Sequence, residues 1–454
     1  MQYTLTLTWE HYQRVLFLIN DRDGCEGATF IICGRSNSEN EHRFLSREIL
    51  AVRPNEYLVR EPTRLSLTSS SYTRAVKLAG LTNGAVLFVH SHPTGIPVFS
   101  DQDNNEEPKL MQFIMERNGA IPGSILLSAP DQLIGRVWVD NDWVKICRIR
   151  LIGQRFLFFD DVPAVEKIDP FYDRQVRAFG PDIQRLLKRM HIGVVGAGGT
   201  GSAVSEQLTR LGIGNISIFD GDRLDDSNIS RVYGSTVAVV NMPKAEILAN
   251  HLKKIGLGTE IKYFSEYITK EKIAKELKTC EIIFCCTDNH SSRGILNELS
   301  AQYLIPLIDM GVLIESKEEK ITEIYGRVTT VLPNEACLFC RKTINPDRIR
   351  LESLSSEERK RLVDERYAPE LDTLDPAVIS FTTAVAAQAI SEVIHRLTGF
   401  MGDDRLSTEV LMLLASTEIH RNHLKPEPNC ICSKSNRLGR GDSSRSFLGL
   451  SWAS

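Results

Sequence analysis

A chain of 454 residues is too long for one ordinary core, since single cores rarely grow past ~250 to 300 residues, and long enough for two. With 42% hydrophobic and 25% charged residues, its composition is that of a soluble globular protein rather than a disordered or membrane one. The formal net charge of -4 gives no reason to expect nucleic acid as a partner.

The opening MQYTLTLTWEHYQ lacks the basic stretch and apolar core of a signal peptide. The longest uncharged run near the C-terminus, Pro376 to Ser391, falls short of the ~20 apolar residues a spanning helix needs. A cytoplasmic protein without a membrane contact is therefore expected. Residues 1–152 alternate short β-rich runs (ATFIIC, AVLFVH, SILLS, GRVWV) with helical stretches such as Asn104 to Arg117, an α+β pattern. Residues 153–170 read as a connector. From His191 the order becomes strand, glycine-rich turn, helix, strand, and then a helix from Lys244, which predicts a parallel α/β sheet within a domain spanning 171–425. The run Glu352 to Arg366 is densely charged and reads as a solvated helix or crossover segment. A tail, 426–454, is rich in Ser, Gly and Arg and reads as partly disordered.

The first candidate site lies where the AVLFVH strand ends. His90 and His92 are two apart, so both imidazoles leave an extended backbone on the same side and can grip one metal. Asp103 can supply a third ligand, and three N/O ligands leave a tetrahedral zinc with an open position for water. The spacing His90, His92, Pro93, Ser100, Asp103 resembles the signature of the JAB/MPN/JAMM metalloproteases. That resemblance implies a catalytic zinc on His90, His92 and Asp103, with Glu26 in CEGATFIICG as general acid/base and Ser100 steadying an oxyanion. Glu41 and Glu48 are further from a strand start and suit the base role less well. The family hydrolyses peptide or isopeptide bonds after the C-terminal glycine of ubiquitin-like proteins.

The second candidate site begins at GAGGTGS, Gly196 to Ser202, between a strand and a helix, and Asp220 ends the next strand 19 residues after Gly201. Gly196, Gly198, Gly199 and Gly201 in that context predict a nucleotide with its phosphates at the helix N-terminus and its ribose on Asp220. By this signal alone, an NAD-dependent oxidoreductase would be the default reading. Asp222, Asn228, Arg231 and Lys244 follow, and cations there suit a triphosphate better than a hydride donor. Together with Cys286, Thr287, Asp288, Asn289 and Arg293, the series resembles the ThiF/MoeB/ubiquitin-activating-type adenylyltransferases. The resemblance implies that Arg231 and Lys244 neutralise the phosphates of ATP, Asn228 positions the reacting groups and Asp288 binds magnesium. It further implies a homodimer in which Arg174, in FYDRQVRAFG, reaches the neighbouring subunit's nucleotide. Val232 departs from the pattern, which has Gln there.

Cys337 and Cys340 form a C-x-x-C pair and Cys430 and Cys432 a C-x-C pair, a plausible four-thiolate structural zinc; a redox dithiol is the competing reading of the first pair. Activating enzymes that form a thioester use a cysteine after the first C-x-x-C, but none lies between Arg341 and Ser380. Adenylation without a thioester on this chain is expected, the acyl group passing to a partner such as a conjugating enzyme or sulfur donor. Ser353, Ser355 or Ser356 could instead form an oxyester. The two resemblances converge on one bond at the end of a ubiquitin-like or sulfur-carrier protein, as in bacterial conjugation or sulfur-carrier operons. A bifunctional enzyme is the leading expectation, a sulfur-carrier adenylyltransferase for cofactor or metabolite synthesis the alternative, and a binding protein with one degenerate site the third.

Overall fold

The computed structural model of the chain describes residues 1–19, 23–93, 95, 97–129, 132–160, 167–318, 320–352, 354, 358, 361, 376–402, 405–433, 437–443, 446–450 and 452. Two units each enclose their own core: 1–165 with 301–304 and 434–449, and 166–300 with 305–433 and 450–454.

In the first unit an eight-stranded sheet closes on itself, because Gln2–Thr8 pairs in parallel with Glu41–Ala51 and also with Asp142–Ile152. Alternation sorts its side chains onto two faces. Ile31, Cys33, Leu87 and Val89 pack with Tyr12, Val15 and Ile19 of the helix Trp9–Ile19. Phe30, Ile32, Val86 and Phe88 turn the other way, onto Ala75 and Ala79 of the helix Ser69–Leu81 and Met111 and Ile114 of the helix Asp101–Asn118.

One expectation about this unit needs correction, and part of the tail has a defined place in it. The connector expected over 153–170 starts later, because the apolar run Phe156–Asp160 joins the sheet antiparallel to Asp142–Ile152, with Arg148 gripping Asp160 at 2.6 and 2.9 Å. The tail expected to be partly disordered packs at 437–443: Asp442 accepts hydrogen bonds from the Asn37 amide at 2.8 Å and the Tyr303 hydroxyl at 2.7 Å. Gly439 and Gly441 take positive φ, which lets this segment pass so close to the strand Ala28–Asn37 that a Cβ on Gly34 would overlap the Gly439 carbonyl.

The second unit is built on a mixed sheet. Five parallel strands run in the order Glu260–Phe264, Asn215–Phe219, His191–Val195, Ile282–Cys285, Leu307–Lys317, and three antiparallel ones follow, Lys320–Val331, Glu409–Leu413 and Glu418–Asn422. The expected parallel α/β arrangement is present, extended by an antiparallel edge. The strand order reverses at His191–Val195, which has later strands on both sides, so a crevice opens beyond its carboxyl end. The helix Ile379–Thr398 carries most of the long uncharged run and buries Val385, Ala386 and Ala389. Among the described residues no helix is long and apolar enough to cross a membrane. Of the charged stretch after Glu352, 353, 355–357, 359–360 and 362–366 lie outside the described residues, and with them Ser353, Ser355 and Ser356.

Candidate functional site

The strand Ala85–Ser91 has a strict alternation, so His90 follows Val86 and Phe88 onto the face covered by the helix Asp101–Asn118. Ser100 caps that helix: its hydroxyl accepts from the Asp103 amide at 3.1 Å and donates to the Asp103 carboxylate at 2.8 Å. The cap turns Asp103 toward both imidazoles, with His90 Nε2 3.4 Å and His92 Nε2 3.3 Å from its oxygens. The side chains expected as ligands thus converge, with one donor atom of each within 4.8 Å of the others. Ser100, expected to hold an oxyanion, is engaged with Asp103.

Glu26 reaches the same place from the neighbouring strand. Ala28 is the register partner of His90, so the antiparallel pairing carried two residues further sets Glu26 opposite His92, and its Oε1 lies 4.0 Å from His92 Nε2. Burial raises its carboxyl above the ordinary carboxylate range, against the pull of the two imidazoles. Burial acts on Asp103 too, but the facing imidazoles outweigh it and hold that carboxyl well below the usual range. Glu41 is spent elsewhere, on Arg43 at 2.8 Å and Arg150 at 3.0 Å. Neither ring nitrogen of His90, 1% exposed, has an aligned hydrogen bond. Two imidazoles and a carboxylate, with the buried Nε2 of His90 lacking an aligned partner, fit a zinc ion.

In the second unit the glycine turn is dictated by sterics. Gly196 has φ +98, and a Cβ there would stand 2.6 Å from the Cys286 carbonyl oxygen; one on Gly201 would overlap the Gly196 carbonyl. Gly198 and Gly199 open the helix Gly199–Leu211, and a Cβ on Gly198 would meet nothing within 4 Å. The Cys286–Asn289 loop leaves the adjacent strand, tied by its Cys286 amide to the Val195 carbonyl at 2.8 Å. Glycine turn and Cys-Thr-Asp-Asn loop therefore border one crevice at the switch point.

Around it, Asp220 accepts from the Ala197 amide at 2.6 Å and the Asp222 amide at 2.8 Å, and burial raises its carboxyl. Lys244 is paired with Asp222 at 3.0 Å, and Tyr267 donates to the same carboxylate at 2.6 Å. Arg231 donates to the Ser227 carbonyl at 2.8 Å, and buried Asn228 accepts from the Asp225 amide at 3.3 Å. Asp288 is exposed. Arg174 is exposed on the short helix Asp173–Phe179. Val232 is buried with Leu224 and Ile247, so the residue that departs from the family pattern serves a small apolar core.

Two carboxylates escaped the motif search. Glu107 lies one helical turn after Asp103 and approaches His90 Nδ1 at 3.3 Å. The signal was the i, i+4 spacing, which puts both carboxylates on one helix face. Asp309, fully buried, accepts from Arg293 Nε at 3.0 Å and Arg327 Nη2 at 3.2 Å. Arg327 comes from the antiparallel neighbour strand, which no local spacing announces.

The four cysteines meet: Cys337 lies 3.4 Å from Cys430 and 4.0 Å from Cys340, which lies 3.4 Å from Cys432. A tetrahedron of thiolates about 2.3 Å from zinc has edges of about 3.8 Å, so the set fits a structural zinc despite the shortened C-x-C. Hydrogen bonds from the other thiols, Cys432 first, pull Cys337 down to about 5, while burial pushes Cys430 up to about 12. Cys285 is fully buried at the end of its strand, and Cys286 sits one residue past it and is half-buried.

A doubly wound sheet with a glycine turn at its switch point defines a nucleotide-site α/β fold. The profile of the ThiF family matches residues 172–434, and the chain belongs to that family. It is 30% identical over 174 residues to the sulfur carrier protein ThiS adenylyltransferase of Bacillus subtilis, a match covering 37% of this chain and 49% of that one. It is 26% identical over 264 residues to protein HesA of Leptolyngbya boryana, covering 57% and 83%. It is 31% identical over 171 residues to the molybdopterin-synthase adenylyltransferase of Escherichia coli, covering 37% and 66%. The chain thus spans about half the length of the Bacillus relative. Among solved structures, E. coli MccB is 18% identical, with 59% of this chain and 75% of that chain covered and a TM-score of 0.46.

Proposed function

We propose that the second unit uses ATP and magnesium to adenylate the C-terminal glycine of a ubiquitin-like or sulfur-carrier protein, releasing pyrophosphate. The observation that carries this reading is the shared crevice of the Gly196–Gly201 turn and the Cys286–Asn289 loop. Phosphates would lie on the free amides of the helix Gly199–Leu211, ribose beside Asp220, and magnesium on exposed Asp288. Arg231 and Lys244 meet the charge that grows on the α-phosphate as the carrier's carboxylate attacks it. Lys244 is held ready by Asp222 and must exchange that partner for phosphate. Arg174 is proposed to reach the nucleotide of a second copy in a homodimer. Relatives that act on ThiS or serve molybdopterin synthase support a small carrier protein as substrate.

For the first unit we propose hydrolysis of peptide or isopeptide bonds after the same glycine, in precursor processing or deconjugation. Zinc on His90, His92 and Asp103 would supply a water ionising near neutral pH. Glu26, its carboxyl raised by burial, takes and returns the proton. The Ser100 hydroxyl, which donates to Asp103 at 2.8 Å, would have to turn from that carboxylate to steady an oxyanion.

The alternative reading is a sulfur-carrier adenylyltransferase serving cofactor or metabolite synthesis; the missing cysteine in 341–380 favours it, because sulfur transfer needs no thioester on this chain. ATP–pyrophosphate exchange that requires a glycine-terminated carrier, and falls at least 100-fold in Asp288→Ala, is the expected result. Exchange indifferent to the carrier or to Asp288 sinks the adenylation reading. A covalent carrier conjugate, rather than a carrier thiocarboxylate, separates conjugation from sulfur supply.

A further inference from the structure

Beneath His90 lies a buried ion pair that the proposed hydrolysis does not use. Glu107 is 5% and Arg136 7% exposed, and Arg136 Nη2 donates to Glu107 Oε2 at 2.6 Å. Ser124 donates to Glu107 Oε1 at 2.7 Å. Such a pair gains little over apolar residues of the same volume, because desolvating two charges offsets their attraction. Its placement therefore calls for a use other than stability.

The oxygen that accepts from Ser124 has a second lone pair and lies 3.3 Å from His90 Nδ1, within reach of an N–H there, though out of line for a hydrogen bond in this geometry. The opposite nitrogen, Nε2, faces Asp103 at 3.4 Å and the cluster with His92. A neutral imidazole carries one proton, and the partner of one nitrogen decides which nitrogen is left as a lone-pair donor. Arg136 is itself fixed. Its guanidinium lies 3.7 Å from the Phe99 ring centroid and 3.9 Å from that of Trp143, and Nη1 donates to Asn104 at 2.5 Å. Phe99 and Asn104 flank the Ser100–Asp103 cap, so one guanidinium ties Glu107 to the segment that aims Asp103.

We propose that Glu107 is a positioning residue for the metal site: it holds the Nδ1 proton of His90, leaving Nε2 as the metal-facing donor, while Arg136 locks Glu107 and the Ser100 cap in register. This rests on reading the first unit as a zinc site. Carboxylates that accept from a ligating imidazole change metal affinity by about 10- to 100-fold when removed.

The test is zinc retention by the full chain against a graded chelator, with the four-cysteine cluster as internal reference. Wild type is expected to hold zinc at both clusters and His92→Ala at the cysteines alone. Glu107→Leu combined with Arg136→Met removes the pair without stranding a charge, so folding is preserved. It should release the histidine-site zinc about 10- to 100-fold more readily while the cysteine-bound zinc is unchanged. Glu107→Gln combined with Arg136→Met restores an acceptor oxygen and should recover most of the affinity, and the visible spectrum of cobalt-loaded protein should shift in the Leu variant only. A purely structural role would move neither the spectrum nor the difference between Leu and Gln. If wild type holds zinc at the histidine site and the Leu variant holds it equally well, the proposal is overturned. If wild type loses no zinc on His92→Ala, the zinc reading itself fails and takes the proposal with it.

Discussion

Gly196→Ala tests whether the glycine turn and the Cys286–Asn289 loop form one site. The residue sits at φ +98, a region L side chains enter at a cost of about 1 to 3 kcal/mol. The added Cβ would stand 2.6 Å from the Cys286 carbonyl oxygen, where an ordinary C···O approach is about 3.3 to 3.6 Å, so the two loops must part by roughly 0.7 to 1 Å. A displacement of that size between reacting groups costs about 100-fold in rate. ATP–pyrophosphate exchange should therefore fall about 100-fold, accompanied by a lower melting temperature. Gly198→Ala is the control. Its backbone is extended, at φ -77 and ψ -158, and its Cβ meets nothing within 4 Å, so melting should hold while the KM for ATP rises as the methyl enters the space kept for phosphate. Wild-type exchange and melting in Gly196→Ala would refute the claim that these loops bound one nucleotide crevice.

Asp309→Ala strands Arg293, whose side chain is 12% exposed and loses its charged acceptor; the cost of about 3 to 5 kcal/mol should lower melting by on the order of 10 °C, and a shift below about 3 °C would contradict it. His42, packed at a tilt against the rings of Tyr3 and Phe44, is held neutral down to about 4, first by burial and then by Arg35. Its folded value lies below its unfolded 6.5, so the unfolded chain binds the extra proton between them: the contribution is whole above pH 6.5 and drains as pH falls toward 4. At about pH 5 the loss is on the order of 2 kcal/mol, and His42→Phe should flatten the acid dependence of urea unfolding by that amount; parallel curves for variant and wild type would count against it.

The cluster of His90, His92 and Asp103 was legible because two short-range rules fixed it. Strand alternation put His90 and His92 on one side, and the Ser100 cap put Asp103 in front of them. Glu107 obeys the same rule, and was missed only because no motif names it. Asp309 was not legible: its partner Arg327 is delivered by the pairing of two strands, a contact that depends on the whole sheet. The place of Asp442 was not legible in the tail, because composition records the scarcity of apolar residues but not where a carboxylate finds its two donors. Val232 shows the converse, an apparent defect in a motif that packing explains.

The missing thioester cysteine leads to a last prediction. With none in 341–380, the thiol nearest the crevice is Cys286, beside Gly196 and Gly201. Burial pushes it well above the ordinary thiol range, with the Asp309 charge adding to the effect, so at neutral pH almost none is thiolate, the form that attacks an acyl-adenylate. Proximity alone therefore does not make it a nucleophile. Cys286→Ala should keep exchange within about twofold of wild type, since the methyl fits where the thiol sat and no proton is lost from the chemistry. Enzyme trapped with ATP and carrier should give no thiol-sensitive adduct by mass spectrometry. An adduct mapped to Cys286 would overturn this and place the acyl acceptor on the chain itself; without one, the proposed acyl-adenylate would go either to a serine hydroxyl among Ser353, Ser355 and Ser356 or to a nucleophile brought by a partner.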